Sequence, residues 1–314
     1  MTTSEVDRRI RSLRAPKARF DPYRAHGSLV EEERRPDGTI ERSLTVFLTG
    51  AECPFTCSFC DLWKWTIDGP TIPGALTTQL RPVLEANAGE HFDRIKLYNA
   101  SNFFDQRSVP REDLDGIAAL TAPFNAVVVE SHASTIGPKT LEFARQIGGR
   151  LEVAIGLETI NPASVALLNK RLELSRFDAG LRLLQENGID IRVFVLLGVP
   201  YTPVGESIYW TVRTVAHAVE RGAGVVSIIP VRGGNGELER LESLGHFTPP
   251  TLAQLEEALD ACSSIDGAVI TADTWDVERL PACDACRLAR ITRLKGINLT
   301  GHAEPRVDCP MCRA

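Results

Sequence analysis

The chain reads as an α/β protein built on a parallel sheet. Six short apolar segments, rich in β-branched residues, recur along its 314 residues. Helix-period stretches separate them, and parallel neighbours need crossovers of that kind. A composition that is 43% hydrophobic supplies a large core. Length alone suggests about two domains, although α/β barrels of this size also occur as one.

Strands are expected at residues 43–49, 94–98, 126–130, 151–157, 189–197 and 224–230. Helices are expected at 75–86, 111–120, 138–147, 162–185 with a break near Leu174-Ser175, and 203–221. Pro138, Pro162 and Pro203 suit a first helical turn, Asn161 suits an N-cap, and Asn187-Gly188 reads as a helix stop. Six β–α units fall short of an eight-fold barrel. A curved partial barrel and an open doubly wound sheet both satisfy the pattern.

The net charge of -6 argues against a wholly basic nucleic-acid binder. Basic residues nevertheless gather at the ends. Arg8, Arg9, Arg11, Arg14, Lys17 and Arg19 have no acid among them, and segment 283–314 is also basic. Such ends are either solvated, mobile termini or phosphate contacts. No apolar run is long enough for a membrane span, and no apolar stretch of the secretory kind follows the first charges. The eight cysteines are therefore expected in the reducing cytoplasm, where clustered thiols bind metal more often than they pair.

Cys53, Cys57 and Cys60 lie in Cys-Pro-Phe-Thr-Cys-Ser-Phe-Cys, directly after the first expected strand. Sites in parallel α/β folds form at the C-terminal ends of strands, so this loop is well placed for chemistry. Iron–sulfur clusters usually take four cysteines. Three leave one iron open to a small molecule, much as catalytic metal sites keep a free position. Phe55 and Phe59 bracket the sulfurs and offer an apolar wall that excludes water.

A second constellation closes the chain. Cys283 and Cys286, then Cys309 and Cys312, form two Cys-x2-Cys pairs separated by 22 residues. That spacing suits a zinc ribbon or a second four-iron cluster. So short a tail buries little core alone, and a metal would supply the missing stability. The expected organisation is a basic extension at 1–42, a core at 43–276 and a four-cysteine metal-binding segment at 277–314.

The Cys-x3-Cys-x2-Cys pattern, the aromatic before the last cysteine and the following β–α units make residues 43–255 resemble the radical S-adenosylmethionine superfamily. The resemblance implies a partial (β/α)6 barrel with a four-iron, four-sulfur cluster on Cys53, Cys57 and Cys60. It implies S-adenosylmethionine chelated to the open iron. An external one-electron reductant would then drive cleavage to a 5'-deoxyadenosyl radical that abstracts hydrogen from a substrate.

Site roles follow from the same resemblance. The family's Gly-Gly-Glu-like turn reads Asn99-Ala100-Ser101-Asn102 here and lacks its acid, which leaves Asn99 and Ser101 as contacts to the methionyl group. Ile155-Gly156-Leu157-Glu158-Thr159 resembles the segment whose acid accepts from the ribose, so Glu158 takes that role. Gly198, in Leu196-Leu197-Gly198-Val199-Pro200, resembles the turn beneath the adenine, and Phe59 joins the cofactor contacts. His132 closes the third strand and is a candidate acid or base, since imidazole titrates near neutrality.

Residues 96–105 and 245–252 resemble the branch containing the elongator catalytic subunit and the archaeosine synthase radical subunit. That branch modifies tRNA, so tRNA is one substrate reading and a small molecule or peptide is the other. A non-catalytic electron-transfer or redox-sensing protein is the alternative to an enzyme. Glu158 and Gly198 favour the enzyme, because a carrier needs no nucleotide pocket.

Overall fold

A computed structural model describes residues 3–312. Met1, Thr2, Arg313 and Ala314, the ends of the two terminal segments read from sequence, lie outside the described residues. Eight strands form one sheet in chain order: β1 (Gly27–Arg34), β2 (Ile40–Phe47), β3 (Arg94–Tyr98), β4 (Ala126–Ser131), β5 (Arg150–Glu158), β6 (Asp190–Leu197), β7 (Val225–Pro230) and β8 (Val269–Ala272). β1 runs antiparallel to β2, and every other pair is parallel. The sheet curls into a partial barrel whose edges are β1 and β8.

Among the described residues ten α-helices accompany it: α1 (Thr3–Ser12), α2 (Ala75–Ala86), α3 (Arg111–Thr121), α4 (Pro138–Gln146), α5 (Pro162–Val165), α6 (Leu174–Glu186), α7 (Ser207–Glu220), α8 (Glu237–Ser243), α9 (Leu252–Ala261) and α10 (Asp284–Thr300). The six strands expected from sequence all form, as do the helices between them, except that the stretch expected at 162–185 is helical only in α5 and α6, with residues 166–173 non-helical and α6 starting at the expected break. Asn161 caps α5 as expected, its Oδ1 accepting the Ala163 N–H at 3.1 Å. The stretch beginning at Pro203 enters α7 through a 3-10 turn. β1 and β8 were not foreseen. Residues assigned to the basic extension supply α1, with Ile10 buried, and all of β1.

Strand alternation sorts the side chains. Leu44, Val46, Ile95, Leu97, Val127, Val129, Val193 and Val195 belong to one buried core shared with helical residues such as Leu76, Phe143, Phe177, Leu181 and Leu255. The intervening positions of β3, β5 and β6 carry Lys96, Glu152 and Arg192, which form the polar interior with Glu33 of β1. Glu152 accepts from Arg35 (2.7 Å), Arg94 (2.8 Å) and Arg192 (2.6 Å). Glu33 accepts both Nη1 and Nη2 of Arg192 at 2.9 Å and the Lys96 ammonium at 2.7 Å. Buried charges persist only when paired this fully.

α10 packs against both sheet edges. Asn298 on this helix satisfies the exposed backbone of β8, accepting the Ala272 N–H at 2.9 Å and donating to its carbonyl at 2.7 Å. An open strand edge is thereby covered rather than left to pair with another chain. No helix among the described residues is long and apolar enough to cross a membrane.

Candidate functional site

The loop after β2 carries Cys53, Cys57 and Cys60, and it is fixed from several directions. The Ser58 N–H donates to the Leu168 carbonyl at 2.9 Å. Asn235 Nδ2 donates to the Ser58 carbonyl at 2.9 Å and to that of Cys60 at 3.3 Å. Asn169 Nδ2 donates to the Thr56 carbonyl at 2.9 Å. Asn102, in the turn after β3, donates to Cys53 Sγ at 3.4 Å.

Burial raises the thiol pKa at all three cysteines, to about 12 at Cys57, and each of Cys57 and Cys60 is raised further by its cysteine neighbours. That mutual repulsion is what adjacent, half-buried thiolates suffer without a cation, and a bound metal charge inverts it. Ligation by a cluster fits these groups.

A buried ion pair sits beside them. Lys170 Nζ donates to Glu158 Oε1 at 2.7 Å. Burial opposes the Lys170 charge, but Glu158 and then Cys57 raise its pKa above the usual lysine value. Glu158 ends β5 with φ at 68°. Gly156 leaves room for the pair, since a Cβ there would lie 2.1 Å from Glu158 Oε1 and 2.8 Å from Lys170 Nζ.

The barrel interior holds a cavity of about 1100 Å³. Phe59, Cys60, Ala100, Glu130, Glu158 and Ile229 are among its walls near the cysteine loop. Tyr98, Lys96, Arg192 and Glu33 line it deeper, and Trp65, Trp275, Arg279 and Lys295 also border it. Burial pushes the Glu130 carboxyl up to about 7, although the N–H groups of Asn99 and Ala100 donate to it. A smaller hollow of about 350 Å³ reaches Cys53 from another side, bordered by Arg11, Arg14, Lys17 and Arg107.

Of the expected cofactor contacts, Phe59 and Glu158 line the cavity together with Cys60. Asn99 is fully buried behind Ala100. Its Oδ1 accepts the Ser101 N–H at 3.3 Å, and its Nδ2 has no partner among the described residues. Ser101 Oγ is engaged with Ser108 Oγ at 2.6 Å. Gly198 adopts φ at 76°, and a Cβ there would meet Pro250 Cδ at 2.7 Å, so Pro250 is its close neighbour.

His132 does not border the cavity. Its ring lies 4.3 Å from that of Phe55, and its Nδ1 accepts the Ser134 N–H at 3.1 Å. Burial, then the Lys170 charge, holds its pKa at about 3. The imidazole is therefore neutral near pH 7. Lys170 and Glu130, both at the site, had no assigned role in the sequence reading. Glu130 is at the C-terminal end of β4, which was an available signal, whereas Lys170 lies beyond α5 and offered none.

No family model matches the sequence, and no curated protein matches it. Solved structures do. A mutant spore photoproduct lyase with dinucleoside spore photoproduct aligns with a TM-score of 0.52 and 10% identity over 72% of this chain and 75% of that one. The fold is the radical S-adenosylmethionine barrel. Elp3 from Methanocaldococcus infernus gives 0.49 at 16% identity over 62% of this chain and 51% of that one. Methylornithine synthase gives 0.47 at 15% identity over 76% and 75%. The chain thus spans about half the length of the archaeal Elp3 structure.

Beside the radical S-adenosylmethionine barrel stands the second cysteine group. The sulfurs of Cys283, Cys286, Cys309 and Cys312 all lie within 4.8 Å of one another. Cys283 and Cys309 are 4.0 Å apart, and Cys286 and Cys312 are 3.7 Å apart. Arg290 of α10 donates to Cys286 Sγ at 3.2 Å and also pairs with the buried Glu256 of α9. Four convergent thiols with a cationic neighbour can hold a metal ion.

Proposed function

We propose that this protein is a radical S-adenosylmethionine enzyme, with a four-iron, four-sulfur cluster held by Cys53, Cys57 and Cys60. One observation carries the reading: Cys60 stands in the wall of a large cavity within a barrel of this fold, with the Lys170–Glu158 pair beside Cys57 and Cys53. With both groups bound, reductive cleavage of the sulfonium would supply a carbon radical for hydrogen abstraction.

This chain's residues bind and shield. Phe59 and Ile229 give apolar walls that exclude water. Glu158 retains acceptor capacity for ribose hydroxyls. The Lys170 ammonium suits the cofactor's carboxylate, and the unpartnered Asn99 amide supports a polar ligand nearby. The hollow at Cys53, bordered by Arg11, Arg14, Lys17 and Arg107 together with Glu52 and Asp68, leaves a route of approach for an external one-electron reductant.

The test is direct. The protein is reconstituted anaerobically with iron and sulfide, reduced, and mixed with S-adenosylmethionine. Formation of 5'-deoxyadenosine is expected. An iron-loaded protein that makes none is the electron carrier instead.

At the C-terminal site we favour zinc over a second cluster. Zn–S bonds of about 2.3 Å in a tetrahedron put sulfurs about 3.8 Å apart, close to the 3.7 and 4.0 Å separations found. The eight free cysteines support a reducing, cytoplasmic setting.

For the substrate, the cavity border supports tRNA. Trp65 and Trp275 are 50% and 37% exposed there, on a border that also carries Arg279, Lys295, Asp61 and Asp276. Such aromatic surface suits an unstacked base. Binding of tRNA that weakens steeply with salt is the expected result. Binding without a salt slope favours a small molecule or peptide.

A further inference from the structure

One carboxylate ties the amino-terminal helix to the cysteine loop. Asp7 of α1 accepts from Thr56 Oγ1, from Asn169 Nδ2 at 2.8 Å and from Arg171 Nη2. Thr56 immediately precedes Cys57. Asn169 and Arg171 flank Lys170, and both hold left-handed backbone, with φ at 53° and 57°. Such conformations persist in non-glycine residues when surrounding contacts over-determine them. Here the contacts converge on Asp7. Burial raises its carboxyl, but the bonds from Thr56, Asn169 and Arg171 outweigh that and hold it at about 2, so it stays charged.

The helix has other anchors. Arg9 pairs with the buried Glu237 at 2.8 Å, and Ile10 is buried. Beyond its end, Arg14 pairs with Glu52 at 2.6 Å and lies over the Trp63 ring. Loss of the Asp7 side chain alone therefore leaves the helix docked.

We infer that Asp7 is a positioning residue for the iron–sulfur cluster. Through Thr56 it fixes the backbone next to Cys57, and through Asn169 and Arg171 it holds the Lys170 cation against the same sulfurs. The inference rests on the reading of Cys53, Cys57 and Cys60 as cluster ligands. A nearby cation favours the reduced, more negative cluster, so the helix sets the reduction potential from outside the barrel.

The experiment uses the full chain, reconstituted anaerobically, with Asp7→Ala, Asp7→Asn and Lys170→Met variants. Iron content, the reduced-cluster EPR signal and the midpoint potential are read. Asp7→Ala is expected to shift the potential negative with a changed EPR signal, while thermal unfolding and C-terminal metal content stay as in the parent. On a Lys170→Met background the same change is expected to add little, because both act through one cation.

A folded Asp7→Ala protein that loses its iron supports the role too. If that variant does not fold, Asp7→Asn decides. It keeps an acceptor for Thr56 and removes the charge facing Arg171, so a smaller negative shift is expected. The parent potential and EPR signal in whichever variant folds overturn the inference. A parent chain that takes up no iron at the N-terminal site overturns the cluster reading itself.

Discussion

Lys170 donates to Glu158 across 2.7 Å, on a buried shelf where its charge also bears on Cys57 and Cys53. The pair joins the proposed cluster loop to the cavity wall. Replacing Glu158 by Gln keeps the shape and removes the charge. A hydrogen bond to a charged group contributes about 1.5–3 kcal/mol, so S-adenosylmethionine affinity is expected to fall roughly tenfold to a hundredfold. Equilibrium binding to reconstituted protein measures this, with iron content unchanged. Equal affinity in the variant removes Glu158 from the cofactor site.

Cys57→Ala separates the two proposed metal sites. Its half-buried thiol lies near those of Cys53 and Cys60, and a cluster held by two cysteines lacks its scaffold. Iron and the visible cluster absorbance are expected to be lost, while metal at Cys283, Cys286, Cys309 and Cys312 remains. Elemental analysis of the purified protein reads both at once. Unchanged iron contradicts the assignment.

The six central strands were legible because their outward faces are apolar and β-branched and their crossovers are helical. The cysteine loop was legible because its spacing is local. β1 was not, since Glu31 and Glu33 interrupt its pattern and their partners Lys96 and Arg192 lie far along the chain. Lys96, Glu152 and Arg192 were visible as charges inside apolar strands. Their common destination in the lumen needs the sheet register, which sequence alone does not supply. Asp7 is the extreme case, as its partners are 49, 162 and 164 residues away. Gly198 was read for its freedom of approach, and Pro250 is the neighbour that requires it.

Metal at the proposed C-terminal site would be coupled to the barrel edge. Arg290 joins Cys286 to Glu256 of α9, and Asn298 on the same helix holds β8. Replacing Cys286 and Cys309 together by Ser is expected to remove the proposed zinc and lower thermal stability, because metal binding contributes directly to folding in segments of this kind. Amide exchange should rise in β8 and α10 while β3 to β5 stay protected. Zinc that persists after both substitutions refutes the four-cysteine assignment. Iron lost in place of zinc identifies a second cluster.

Acid should unlock the interior network in a defined direction. Burial pushes the Glu152 carboxyl up, but Arg192, Arg35 and Arg94 outweigh it and hold its pKa at about 2, against 4.5 for an ordinary glutamate. A carboxyl depressed by folding stabilises the native state fully above its unfolded pKa. That contribution is lost as pH falls from about 4.5 towards about 2. Glu33 is lowered as well, by Arg192 and Lys96 against its own burial, and adds to the same limb. Glu152→Gln leaves three guanidinium groups short of their shared acceptor, and breaking a buried ion pair costs about 3–5 kcal/mol. Urea midpoints at pH 7 and pH 4 test both points. The variant should be less stable at pH 7 and should lose less on acidification, with a residual slope from Glu33. An acid slope as steep as the parent's would show that the Glu152 carboxylate does not carry the linkage.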